Sequence, residues 1–202
     1  MPTRVAGELS SLRHEHREAT RRRIITAARR VFIKHGYSRA TIEEIIAAAQ
    51  VSRATLYLHF DSKLDLLHAA SEKMAAVGND AARRLAVVLI EGDRADLRAW
   101  IEWALTYFVR NRSMALAIRE AEFSENKPTE RLRAYLECLE PWVETWPATR
   151  RTEARIRFEL CRLQMHSYMW GTSQALFDDE DSLVDLFTEM WWDSLKEPLT
   201  RQ

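Results

Sequence analysis

The chain is expected to be all-α, about nine helices in two parts, and three observations lead to that expectation. Gly and Pro are scarce, five of each in 202 residues, so little interrupts the helix-forming runs. Apolar residues recur at three- and four-residue spacing rather than in strict alternation. Capping residues stand in front of several of these runs, Thr41, Ser52 and the pair Asp61-Ser62 among them. A chain of this length buries a real core as one large domain or two small ones.

The first long helix is expected from about Glu15 to His35, with Ile24, Ala28, Val31 and Phe32 as its inward stripe and Gly36 as its C-terminal cap. Residues 1–14 read as a flexible or partly helical extension, basic through Arg4 and Arg13 and continued by Arg17 and Arg21 to Arg23. Such an arm suits the minor groove or backbone of DNA, or is a solvated helix start with Glu15 and Glu18 as ion-pair partners. Thr41 with Glu44 three residues on forms a capping box in front of Ile42, Ile45, Ile46 and Ala49. That helix stops near Gln50-Val51. Ser52 caps the next one, Arg53 to Phe60, in which Leu56 and Phe60 face inward at i,i+4. Arg53, Ala54, Thr55, Tyr57 and His59 are left outward. A short helix with donors at its start and an apolar back is what a major-groove reader requires. Asp61 or Ser62 then caps a fourth helix whose stripe is Leu64, Leu67, Ser71 and Met74.

Near Gly78 the composition shifts, and all seven tryptophans lie beyond residue 99. Turn and breaker residues divide the remainder into helices at about 94–110, 113–124, 128–145, 150–175 and 182–196, with Pro141 kinking or shortening the third. The expected partition is a basic extension (1–14), a three-helix helix-turn-helix domain (15–68) and a larger helical domain (69–202). In the last two helices, Ile156, Leu160, Leu163, Ser167 and Trp170 repeat with 4,3,4,3 spacing, and Leu183, Phe187, Met190 and Ser194 with 4,3,4. These heptad-like seams suit left-handed four-helix packing, either within the domain or against a second copy.

The formal charge is zero overall, yet residues 1–63 carry 12 basic against 6 acidic side chains and the rest carry 18 against 24. A basic part that also holds the helix-turn-helix is the electrostatic footprint of a phosphate-binding surface. No apolar run approaches the length of a membrane span, and the N-terminus has no apolar segment of the secretory kind. Two cysteines, Cys138 and Cys161, do not make a disulfide scaffold, so a reducing cytoplasmic location is expected. Enzyme chemistry has thin raw material. His14 and His16 have no accompanying metal-spaced Cys, Asp or Glu, Cys138 and His166 stand alone, and no Gly-rich phosphate loop or G-x-S-x-G occurs. No metal or cofactor is expected.

The segment from Phe32 to Lys63 resembles the TetR family of bacterial transcriptional regulators. Phe32, Gly36, Tyr37, Thr41, Val51-Ser52, Thr55-Leu56-Tyr57, His59-Phe60 and Lys63 stand in that family's order and spacing, within a match of roughly residues 20–68. The resemblance implies phosphate contacts by Thr41, Tyr57, His59 and Lys63; partial packing on the first helix is the alternative for Tyr57. Arg53 and Thr55 best match base-reading positions, with Arg53 suited to a guanine or to a phosphate, and Ala54 to a thymine methyl. Glu43 accepts from cytosine or pairs with Arg39. The resemblance further implies a homodimer built on the last two helices, reading a palindromic operator in double-stranded DNA with half-sites about 34–36 Å apart. It also implies an unidentified small-molecule effector in the C-terminal domain, whose binding releases a repressor from its operator.

The aromatic and methionine inventory suits a largely apolar or aromatic effector, best placed at Trp103, Tyr107, Phe123, Met165 and Met169, although such side chains also build ordinary core. Arg119, Glu120 and Glu122 are candidates to face a polar group of that effector, or solvent. The helix from Lys63 onward is the expected transmitter between the two parts. A ligand-independent architectural DNA-binding protein is the competing reading.

Overall fold

The computed structural model describes residues 3–125, 130–170 and 180–196, with side chains placed for 14–124, 132–168 and 182–196. Among these residues it contains eleven α-helices, one 3₁₀ turn and no strand. The chain divides into two compact units, residues 1–73 with 113–126, and 74–112 with 127–202.

The first unit holds α1 (Thr3–Arg39), α2 (Ile42–Ala49), α3 (Arg53–Tyr57), α4 (Lys63–Ala70) and α7 (Arg112–Glu125). In α1 the residues Ile24, Ala27, Ala28, Val31 and Phe32 are buried, and their i, i+3, i+4, i+7, i+8 spacing makes one apolar face. The backbone leaves helical geometry at Gly36 (φ +74°, ψ 177°), a conformation essentially reserved to glycine. Tyr37 then turns back to stack on Phe32, ring centroids 6.1 Å apart.

The second helix begins as its sequence dictates. Thr41 accepts the Glu44 N–H at 3.2 Å, and its own N–H donates to Glu44 Oε2 at 2.9 Å. Gln50 ends the helix in the left-handed conformation (φ 52°). Ser52 accepts the Thr55 N–H at 3.0 Å and opens α3. Leu56 and Phe60 are buried, as expected, but regular helix stops at Tyr57, and Leu58 stands 73% exposed in the turn that follows. Ser62, rather than Asp61, caps α4 by accepting the Asp65 N–H.

The expected continuous helix from Lys63 past Met74 is broken. Ser71 (φ −112°, ψ 9°) is buried, its hydroxyl turned back onto the Leu67 carbonyl, and α5 (Glu72–Glu91) starts afresh behind it. A serine that satisfies its hydroxyl on the preceding turn loosens the helix at that point.

In α7, Met114, Ala115, Ala117 and Ala121 are buried. The sequence placed this helix in the C-terminal part, but it belongs to the first unit, and Glu120 explains why. Its carboxylate accepts the Ser38 N–H at 2.8 Å and lies 2.8 Å from where a Cβ on Gly36 would stand.

The second unit is built from α5 beyond residue 73, α6 (Arg94–Arg110), α8 (Glu130–Glu137), α9 (Glu140–Glu144), the 3₁₀ turn Ala148–Arg150, α10 (Arg151–Trp170) and α11 (Glu180–Leu195). Its core joins Leu85 and Leu89, Trp100 and Ile101, Trp142, Val143 and Trp146, Phe158, Met165, Val184, Phe187 and Trp191. Trp100 donates to the Ala81 carbonyl at 2.9 Å and its ring lies 5.6 Å from that of Trp191. Pro141 falls in the first turn of α9, so the expected 128–145 helix is two helices, as a proline there requires.

The residues of the two seams differ in exposure. On α10, Ile156, Leu160 and Leu163 are 55%, 56% and 49% exposed, and Ser167 is exposed. On α11, Phe187 is buried and Leu183 is half-buried against the core; the outward apolar pair is Leu186 and Met190. The 4,3,4 repeat on α11 therefore mixes a core-facing row with its neighbour. The Trp170 and Met169 side chains lie outside the described residues.

Candidate nucleic-acid interface

The residues expected at DNA lie at the N-cap of α2 (Thr41), on α3 and in the turn after it (Arg53 to His59), and at the start of α4 (Lys63). With Leu56 and Phe60 committed to the core, Arg53, Ala54 and Tyr57 are left exposed on α3, Tyr57 at 44%. The Thr55 hydroxyl shares a 2.8 Å hydrogen bond with that of Ser52, so Thr55 is also part of the cap.

Three expected contacts have intramolecular partners. The Thr41 hydroxyl donates to Glu44 Oε2 at 3.0 Å, and the Thr41 backbone N–H bond first, then this hydroxyl bond, with a smaller contribution from the nearby His35, hold the Glu44 carboxyl below its ordinary range. Lys63 donates to the Tyr37 and Ala40 carbonyls at 2.9 and 3.2 Å and lies 4.3 Å from the centre of the Tyr37 ring. Its ammonium therefore satisfies the carbonyls that α1 leaves open at its end. Arg53 Nη2 donates to Glu43 Oε1 across the two helices, while Arg39 Nε turns to the His35 carbonyl. Glu43 thus pairs with Arg53, not with Arg39.

His59 is half-buried, and its imidazolium is disfavoured first by burial and then by the positive charges of Arg17 and Arg21. Arg21 also lies over the Phe60 ring at 5.0 Å. In sequence these two arginines continue the basic N-terminal arm, but the fold brings them to the end of the reading helix. Their four-residue spacing on α1 was the available signal, since it puts both on one face. The side chains of residues 1–13, Arg4 and Arg13 included, lie outside the described residues.

Of the five residues expected to line an effector pocket, Trp103, Tyr107, Phe123 and Met165 have described side chains, and their settings differ. Met165 is buried core, while Trp103 and Tyr107 stack on each other at 5.3 Å with Arg84 over Trp103. Phe123 is 74% exposed and belongs to the first unit. The second unit instead has a half-open cleft of about 260 Å³ between α8, α9 and α10, lined by Leu136, Leu139, Trp142, Val143, Ile156 and Phe158. Arg155 stands at its rim in a bidentate pair with Glu140 at 2.9 and 2.7 Å. Among the described residues no three His, Cys, Asp or Glu side chains are placed to hold a metal ion. No helix among them is long and apolar enough to cross a membrane.

A capped two-helix reader with an exposed arginine and tyrosine, backed by a basic helix, defines a helix-turn-helix DNA-binding protein. Comparison with known proteins takes this to a family. Residues 24–70 match the model of the bacterial regulatory proteins of the tetR family. The chain is 32% identical over 184 residues to the HTH-type transcriptional repressor NicS of Pseudomonas putida KT2440, covering 88% of this chain and 82% of that relative. It is 48% identical over 52 residues to the regulator SrpR of Pseudomonas putida, a match spanning 26% of this chain and 24% of SrpR.

A TetR family transcription regulator from Marinobacter aquaeolei VT8 has the same fold, with a TM-score of 0.58 at 19% identity over 90% of this chain and 97% of that one. The chain belongs to the TetR family of transcriptional regulators, proteins that bind DNA through a helix-turn-helix rather than enzymes.

Proposed function

We propose that the protein is a homodimeric repressor that binds a palindromic operator and is released when a small, largely apolar or aromatic effector occupies its C-terminal domain. The observation that carries the reading is the exposed face of α3, where Arg53, Ala54 and Tyr57 point outward from a fully buried back. Thr41, Thr55, His59 and Lys63 support that face. Thr41, Thr55 and Lys63 hold its backbone in place through their hydroxyl and ammonium bonds, and in the proposed complex these same donors turn to phosphates.

Dimerisation is supported by the uncovered stripe Ile156, Leu160 and Leu163 on α10 and by the exposed Leu186 and Met190 on α11. Pairing such stripes from two copies buries them in a four-helix seam and gives the reader two-fold symmetry. Repression is supported by the relationship to NicS, which is itself a repressor. The cleft between α8, α9 and α10 is the best-supported seat for part of an effector. Cytoplasmic location follows from this role.

The test is selection of genomic fragments on the purified protein at moderate and raised salt. The expected result is a palindrome retained by the wild type and lost by the Arg53→Ala, Tyr57→Ala double variant. Retention of no preferred sequence, or binding insensitive to salt, would refute the reading.

A further inference from the structure

We propose that Glu43 is a specificity-determining residue, whose carboxylate holds the Arg53 guanidinium in place for a G·C base pair and keeps it off the phosphates. The proposal rests on the reading of α2 and α3 as the DNA-facing surface. Glu43 is the second residue of α2 and Arg53 the first of α3; their side chains are 64% and 59% exposed and joined by a hydrogen bond. Other nearby ions are engaged elsewhere. Glu44 closes the Thr41 cap and faces His35, Arg39 bonds the His35 carbonyl, and Lys63 bonds two carbonyls. Arg53 and Glu43 are left to each other.

A carboxylate on a surface that meets phosphates weakens binding to every duplex, because it opposes the counterion release that drives association. At this position it also shapes what Arg53 does. The planar guanidinium has five N–H donors, and one bond to Glu43 leaves others for bidentate contact with guanine O6 and N7. The same carboxylate is an acceptor for cytosine N4–H, which lies beside those atoms in the major groove. A phosphate approaching Arg53 meets the negative charge of Glu43 instead. The pair therefore favours a base edge over the backbone, and a G·C pair over the alternatives. Since exposed ion pairs add little to folding, removing this one leaves the fold in place.

The test uses the full chain as wild type, Glu43→Gln, Arg53→Ala and the double variant, each selected on a randomised duplex library. Each is then titrated on the selected and a scrambled duplex at two salt concentrations. The wild type is expected to retain one invariant G·C position per half-site. Glu43→Gln is expected to bind the scrambled duplex about tenfold tighter, with a salt slope steeper by nearly one charge, and to become degenerate at that position. Its preference for the selected over the scrambled duplex falls by the same factor. The double variant is expected to discriminate no worse than Arg53→Ala alone, because both act through one guanidinium.

Unchanged discrimination in Glu43→Gln overturns the proposal. So does an equal loss on both duplexes at an unchanged melting temperature, which would make Glu43 merely a direct contact. If instead the Arg53→Ala, Tyr57→Ala variant binds as the wild type does, the DNA-facing reading itself fails, and this proposal with it.

Discussion

Replacing Gly36 by alanine tests how the reading head is held together. The native backbone at Gly36 (φ +74°, ψ 177°) lies in a region that costs a residue with a Cβ about 1–3 kcal/mol. Alanine recovers about 0.4–1 kcal/mol of that by restricting the unfolded chain. Its Cβ would stand 2.8 Å from both Glu120 carboxylate oxygens, a contact that the flexible side chain relieves only by moving away. Moving it breaks the 2.8 Å bond from the Ser38 N–H, a charge-assisted bond worth about 1–2 kcal/mol at an exposed site. The sum predicts about 1–5 kcal/mol of destabilisation, located in the first unit.

Because all seven tryptophans lie beyond residue 99, their emission is a poor reporter of this loss, and amide exchange of residues 24–70 is the better assay. A Glu120→Ala background removes both the contact and the bond. There, Gly36→Ala is expected to cost only the conformational share. Two variants that add without coupling, or Gly36→Ala within 0.5 kcal/mol of wild type by the about ±0.5 criterion for inert surface changes, would refute the reasoning.

Lys63→Met keeps the aliphatic stem but leaves the Tyr37 and Ala40 carbonyls without their donor, and is expected to cost about 1–2 kcal/mol by urea unfolding. A variant as stable as wild type would show that water replaces the ammonium at no cost. Leu160→Glu puts a charge in the middle of the uncovered α10 stripe and is expected to give monomers in analytical ultracentrifugation without loss of helicity. Unchanged mass would move the dimer contact elsewhere.

His59 sets a pH dependence, because its pKa in the folded chain lies below the ordinary 6.5. Its contribution to folding is present above pH 6.5 and is lost as pH falls through the lowered value. A phosphate beside it acts in the opposite direction, raising the pKa in the complex. Operator binding should therefore take up a proton and tighten as pH falls from 7.5 towards 6, and His59→Gln should abolish that part of the slope. An identical slope in the variant would exclude His59 from the contact.

The reader was legible because its determinants are short-range. The Thr41–Glu44 box, the Ser52 and Ser62 caps and the Leu56–Phe60 spacing each act within four residues, so composition and spacing disclose them. The break at Pro141 is of the same kind. The α10 stripe was legible too, since its apolar positions repeat at heptad spacing over a helix long enough to define one face. On α11, Leu183 and Leu186 are equally apolar, and periodicity alone does not tell which row faces inward. The core around Trp100, Phe158 and Trp191 decides it by taking Phe187.

By itself, then, the sequence determined the helical class, the helix-turn-helix and the exposure of Arg53, Ala54 and Tyr57, though not the half-burial of Thr55 and His59, because local backbone hydrogen bonding and a 3.6-residue period are written in neighbouring residues. The tertiary structure alone decided which ions meet. Lys63 reaches carbonyls 23 and 26 residues away, Glu120 reaches Ser38 across 82, and Glu43 takes Arg53 rather than Arg39. It also assigned α7 to the reading head and put the apolar cleft between α8, α9 and α10. The reason is physical: a long charged side chain has many partners within reach and no periodicity to betray its choice, so packing of distant segments selects among them.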